Sequence, residues 1–196
     1  MRGALPLIVA ALLLAACASG GRPQLLTLPS AASPASAAAA AAAAPARVLV
    51  LRRVELPEYL LSRHLRYRAD AATLGEWPDA VWAERIEVGV TRELAAALRA
   101  RLPGWTVCDG SCADGSAGDV LLRVGFAPFD LQRNARRLVA RLDAQAGAGG
   151  AARWRLQQGL EAALAADTPQ AHAQAIAEVL GRGADALAAR LLAEPR

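Results

Sequence analysis

Val120-Leu-Leu-Arg-Val-Gly-Phe126, Leu138-Val-Ala-Arg-Leu142 and Trp154-Arg-Leu156 are three stretches in which apolar residues return at every second position. That period places Val120, Leu122, Val124 and Phe126 on one face, as it does Leu138, Ala140 and Leu142, and again Trp154 and Leu156. Arg133-Asn134-Ala135-Arg136 and the segment Ala146 to Gly150 supply the reversals. Connections this short join antiparallel strands and cannot join parallel ones. The three stretches therefore predict an antiparallel meander with one face toward a core.

Around the meander the chain supplies further elements. Val48-Leu49-Val50-Leu51 is a continuous apolar run with β-branched residues, which suits a strand buried on both faces. Pro57 interrupts the stretch after it, since proline cannot donate a ladder hydrogen bond. His64 to Asp70 alternates, with Leu65, Tyr67 and Ala69 opposite His64, Arg66, Arg68 and Asp70. Pro78-Asp79 reads as a helix opening with Asp79 as N-cap. Trp82, Ile86, Val90, Leu94 and Leu98 then recur every four residues, and Pro103-Gly104 stops the helix. Trp105 to Val107 reads as a short strand. Thr168-Pro169 opens the last helix, with Ile176, Leu180, Leu187 and Leu191 on one face. The sum is an α/β chain of the α+β kind. It has a single mixed, mostly antiparallel sheet of about six strands, and two long amphipathic helices packed on one face.

The N-terminus reads differently. Arg2 precedes an apolar run of ten residues, Leu5 to Leu14, too short for the roughly 20 residues that cross a bilayer. The run ends in Leu14-Ala15-Ala16-Cys17, which resembles a bacterial lipobox with fatty acylation of the cysteine after cleavage. An ordinary signal peptide with an incidental cysteine is the alternative. Residues 1–16 are thus the expected signal peptide, 17–46 a lipidated cysteine with an Ala/Pro-rich tether, and 47–196 the domain. Six glycines and prolines and the run Ala37 to Ala44 mark the tether. As a flexible chain, residues 18 to 46 reach about 30 Å. Within it, Leu25-Leu26-Thr27-Leu28-Pro29 suits a short edge strand. Ala18, in place of Asp, points to the outer membrane and a domain facing the periplasm.

Every base other than two histidines is arginine, and loss of Arg2 lowers the formal charge from +4 to +3. No Lys/Arg-rich cluster of nucleic-acid type appears. Arg52-Arg53 and Arg136-Arg137 read as solvated faces. With Cys17 acylated, Cys108 and Cys112 remain as a pair in an oxidising compartment. A disulfide between them would contribute about 2 kcal/mol, with two free thiols as the alternative. His64 and His172 read as surface histidines, without metal-ligand spacing. No nucleophile elbow, dinucleotide or phosphate-loop pattern occurs, so no catalytic residue, metal or cofactor is expected.

Val54-Glu55-Leu56-Pro57-Glu58-Tyr59-Leu60 resembles the strand and Leu-Pro-x-Tyr-Leu element of the ABC-type transport auxiliary lipoproteins, the PqiC/YmbA-like family. Trp82-Ala83-Glu84, followed by Val90 to Leu94 and Leu98, is similar to that family's Trp-Ala-Glu helix opening. The Leu-Thr-Leu-Pro element at 26–29 precedes both. After Leu60 this chain has Leu61-Ser62 where the family usually has Asp-Arg, so those polar contacts do not carry over. The resemblance implies a non-enzymatic partner of an MCE-type lipid transport system, working by protein–protein contact and as a homo-oligomer. Leu56, Pro57, Glu58, Tyr59 and Leu60 are the candidate contact residues. The alternative role of Tyr59 is to cover the core beside Trp82. The alternative function is a lipoprotein that itself holds a lipid between sheet and helices.

Overall fold

The computed structural model describes residues 22–31, 47–110, 119–148 and 151–194. The signal peptide, Cys17, the alanine run and Cys112 lie outside the described residues. The strands are β1 (Gln24–Leu26), β2 (Arg47–Leu51), β3 (His64–Arg68), β4 (Leu74–Trp82), β5 (Trp105–Asp109), β6 (Val120–Gln132), β7 (Arg137–Ala148) and β8 (Ala151–Ala163). Helix α1 (Ile86–Arg101) falls between β4 and β5, and α2 (Pro169–Leu192) follows β8.

All eight strands form one mixed sheet, with β6 as its pivot. One edge of β6 pairs antiparallel with β7, which pairs antiparallel with β8, giving the expected meander. The other edge of β6 is shared. At its start it takes β2 in parallel, Leu49 opposite Val120, and β2 takes β5 in parallel. At its end Gln132 meets Arg68 of β3, which leads to β4 and then β1. Between these two arms a single bridge joins Glu55 to Gly125. The parallel pairs are short, and the long ladders are antiparallel.

Alternation along β7 shows which side is covered. Leu138, Ala140, Leu142, Ala144 and Ala146 are buried, while Arg137, Arg141 and Asp143 face solvent. Both helices therefore lie on one face. Leu94 and Leu98 of α1 and Leu180 and Leu187 of α2 close over Leu122, Phe126 and Leu142, all essentially inaccessible. Each such leucine contributes about 2 kcal/mol through removal from water. Because the second face is open, Val48 and Val50 stay half-exposed beside fully buried Leu49 and Leu51. The double burial expected of that run is not realised.

The last helix forms as expected: the Thr168 hydroxyl accepts from the Ala171 N–H at 3.2 Å, and Pro169 takes the first turn. The first helix does not. Pro78 and Asp79 belong to β4, and α1 starts at Ile86 after Arg85, which gives no side-chain cap. The ladder between β3 and β4 is irregular there, with Arg66 opposite Glu76 and His64 opposite Val81. Pro78 sits inside that irregularity, where no donor is required. Trp82 is buried as the periodicity implied, but from the end of a strand. At the start of α1, buried Glu87 pairs with Arg85 and opposes the positive helix end. The other end is as expected: Leu102 caps it and Gly104, at φ +80°, turns the chain.

Residues 24–31 belong to the folded unit. Leu26 and Leu28 are in the core, and the Leu26 carbonyl accepts from the Ala83 N–H at 2.7 Å. The edge strand suggested by the sequence is present as β1.

Candidate partner-docking site

The stretch from Val54 to Leu60 crosses the notch between the two arms of the sheet. Its first half is held by backbone. The Glu55 N–H donates to the Val124 carbonyl at 3.0 Å, and the Phe126 N–H donates to the Glu55 carbonyl at 2.9 Å. Val54 is buried, its N–H donating to the Thr91 hydroxyl at 2.9 Å, so α1 fixes this end too. Pro57, at φ −54° and ψ 136°, then sets up a single 3-10 turn over Glu58–Leu60. Leu56 and Leu60 lean half-buried on the core, while Glu58 and Leu61 are exposed.

Tyr59 holds the second half. Its hydroxyl donates to Asp130 Oδ1 at 2.7 Å, and Arg68 Nε donates to the other carboxylate oxygen at 2.9 Å. The Arg68 guanidinium also lies 5.2 Å from the Tyr59 ring centre, and Arg66 donates to the Tyr59 carbonyl at 2.6 Å. Partial burial, then the hydrogen bond to Asp130, raises the Tyr59 pKa above the ordinary tyrosine value, so the phenol stays protonated and donating. Tyr59 is therefore pinned to β6 and β3 by a polar cluster. Trp82 instead packs edge-on against His172, with centroids 6.2 Å apart.

Beside this cluster opens a cleft of about 440 Å³, lined by Arg68, Asp70, Asp130, Gln132 and Asn134. A second cleft of about 430 Å³ adjoins it through Ala69 and Asn134 and is walled by Tyr67, Arg133 and Asp167. Arg133 is held on three sides. It lies 4.0 Å from the Trp77 ring centre and 4.7 Å from that of Tyr67, and it donates to both Asp167 oxygens at 2.8 and 2.9 Å. These bonds hold the Asp167 carboxyl below its usual pKa, and they raise that of Arg133. Gly75 makes room for the arrangement: a Cβ there would fall 2.5 Å from the Tyr67 ring. In the sequence Arg133 to Arg136 looks like turn material alone, and neither cluster shows. The signal for each is long-range, since Tyr59 and Asp130 are 71 residues apart.

The remaining expected sites separate. His64 is exposed, with Nδ1 3.5 Å from Glu76. His172 is buried, which corrects its reading as a surface histidine: it sits in the first turn of α2 against Trp82, and burial lowers its pKa to about 4. Arg52, Arg53, Arg136 and Arg137 are exposed, as solvated faces require. Cys108 is buried near the end of β5 and its sulfur is engaged in a disulfide. Its expected partner Cys112 lies outside the described residues. Among the described residues, no three His, Cys, Asp or Glu side chains converge as a metal-binding group. No described helix is long and apolar enough to cross a membrane.

The class of protein is defined by a mixed sheet with two helices on one face and a Pro-Glu-Tyr-Leu turn across the notch between its arms. The sequence pattern of the ABC-type transport auxiliary lipoprotein component matches residues 27–188, and the chain belongs to that family. Solved structures share the fold at low identity. An uncharacterised protein matches with a TM-score of 0.70 and 17% identity, over 87% of this chain and 99% of its own. A Xanthomonas campestris protein matches with a TM-score of 0.66 and 13% identity, over 86% of this chain and 95% of its own. No curated protein sequence matches the chain.

Proposed function

We propose that this lipoprotein is anchored through Cys17 in the outer membrane, faces the periplasm, and serves an MCE-type ABC lipid transport system by protein–protein contact. Family membership supports the transport role. The observation that carries the contact surface is the double fixation of the Leu56–Leu60 segment, by Glu55 on one side and Tyr59–Asp130 on the other. A segment held this way presents Glu58 and Leu61 with little conformational entropy left to lose on binding. The partner is the MCE protein of the same system, and the lipoprotein meets it as a homo-oligomer. The test is a pull-down from envelope membranes with the paired surface variant Glu58→Arg, Leu61→Asp. Wild type should recover the MCE protein and the variant should lose it, with an unchanged melting temperature. Equal recovery by both rejects the segment as the contact. Sedimentation of the wild-type chain alone tests the oligomer.

Cys108 and Cys112 pair, on this reading, as the periplasmic disulfide. A mass after alkylation without reductant that shows both thiols free would reject it. The lipid-holding alternative is disfavoured by the filled interface between sheet and helices, where Leu94, Leu98, Leu122, Phe126, Leu142 and Leu180 are at most 1% exposed. Lipid retained in native mass spectra of the soluble domain would revive it.

A further inference from the structure

We infer that the end of the sheet carrying the Arg133–Arg136 turn and the start of α2 is the end that faces the bilayer, with the Cys108 end of the sheet pointing away. The inference rests on the lipidation of Cys17 proposed above, and it comes from where the fold begins. β1 starts only seven positions after Cys17, and it is bound into the sheet by pairing with Ala80 to Trp82. Five peptide steps separate Cys17 from Arg22, the first described residue, so the anchor lies within about 18 Å of it. The 29-residue stretch to Ala46 is therefore not the stand-off distance. Since β1 and β2 belong to one sheet, the residues between them add nothing to the distance from the anchor.

Strand direction says which end that short leash leaves from. β4 begins with Leu74 opposite Arg68, which lies opposite Gln132 at the end of β6. β1 runs parallel to β4, so the residues before Gln24 lead back toward that end. Two further contacts agree. Gln170 in the first turn of α2 donates to the Gln24 side chain at 2.8 Å, and Arg137 at the start of β7 pairs with Ala163 at the end of β8. The turn after β6, the segment leading into α2 and the exit of the chain toward Cys17 therefore share one end. The opposite end, where β2, β5 and β8 have their Val48, Thr106 and Arg153, is most of the length of the 13-residue β6 away, about 40 Å. Arg133 is neutralised by Asp167 and Arg137 faces Glu161, so these two arginines do not set the orientation by charge.

The test uses the full acylated chain in vesicles of phosphatidylethanolamine and phosphatidylglycerol carrying a headgroup nitroxide. A fluorophore is placed through an introduced azide side chain at Ala135 or at Arg153, both exposed. Quenching at Ala135 should exceed that at Arg153 at least threefold, and 0.5 M salt should leave the ratio unchanged. Inserting 20 Gly/Ser residues after Gly20 should bring the ratio close to one. Equal quenching at the two positions, or a ratio that survives the insertion, overturns the orientation while leaving the anchor intact. Absence of acyl mass on Cys17 in the same sample overturns the anchor and the orientation with it.

Discussion

At pH 7 the imidazole of His172 is neutral, because enclosure beside Trp82 lowers its pKa from 6.5 to about 4. Its Nδ1 has no hydrogen-bond partner, and the positive end of α2 further disfavours charge. The unfolded chain binds this proton near pH 6.5 and the folded chain only near pH 4, so the contribution to stability is complete above 6.5 and is lost as pH falls toward 4. Urea unfolding should show a loss of at most about 3 kcal/mol across that window, and His172→Leu should flatten it. Asp130 is the second decisive residue. Asp130→Ala leaves Arg68 and the Tyr59 hydroxyl without their acceptor, and should cost about 1–3 kcal/mol in the same measurement. Neither role was legible in the sequence. His172 lies in a polar-looking first turn, and only the approach of Trp82 from β4 encloses it. Asp130 shares its parity with Val120 to Phe126, and only the register shift after Phe126 turns it to the other face, where β3 and the Tyr59 turn cover it.

Elements were more legible than residues wherever their signal was local. The meander announces itself through period two and its reversal at Arg133–Arg136, and α2 through Thr168-Pro169. The missed element, β4, has a Pro-Asp pair that imitates a helix start, and its true role depends on β1 and β3 on either side. β1 itself has only three residues, so its place comes from long-range burial of Leu26 and Leu28. Leu28→Ala should therefore destabilise by about 2–4 kcal/mol in chemical denaturation, a core-sized loss from a residue placed 19 positions before β2. Gly75→Ala should cost about 1–3 kcal/mol, because the added methyl displaces the Tyr67 ring from Arg133. Its readout is the same denaturation curve with Gly75→Ser as a second probe.

For the whole molecule, one sheet touches every element and both helices close over it, so no part has a core of its own. Unfolding should be a single transition, with far-ultraviolet dichroism and tryptophan fluorescence coincident. Fluorescence is a fair witness, since Trp77, Trp82, Trp105 and Trp154 sit on β4, β5 and β8. Two separated transitions would show that the two arms of the sheet fold independently. The α+β class and the family resemblance were legible at this scale, because helix and strand periods survive without knowledge of contacts. The pivot was not, because parallel pairing of β2 with β6 joins residues about 70 positions apart, as the Val48–Asp119 hydrogen bond shows.

That shared edge of β6 also governs the order of events for a chain threaded into the envelope from its N-terminus. β2 and β3 emerge well before β6 and neither can complete its pairing until β6 arrives, so the first hundred or so residues travel with open strand edges. Emergence of the N-terminus first thus creates a window of exposure for this fold, which a holding chaperone would cover and which closes with the arrival of one strand.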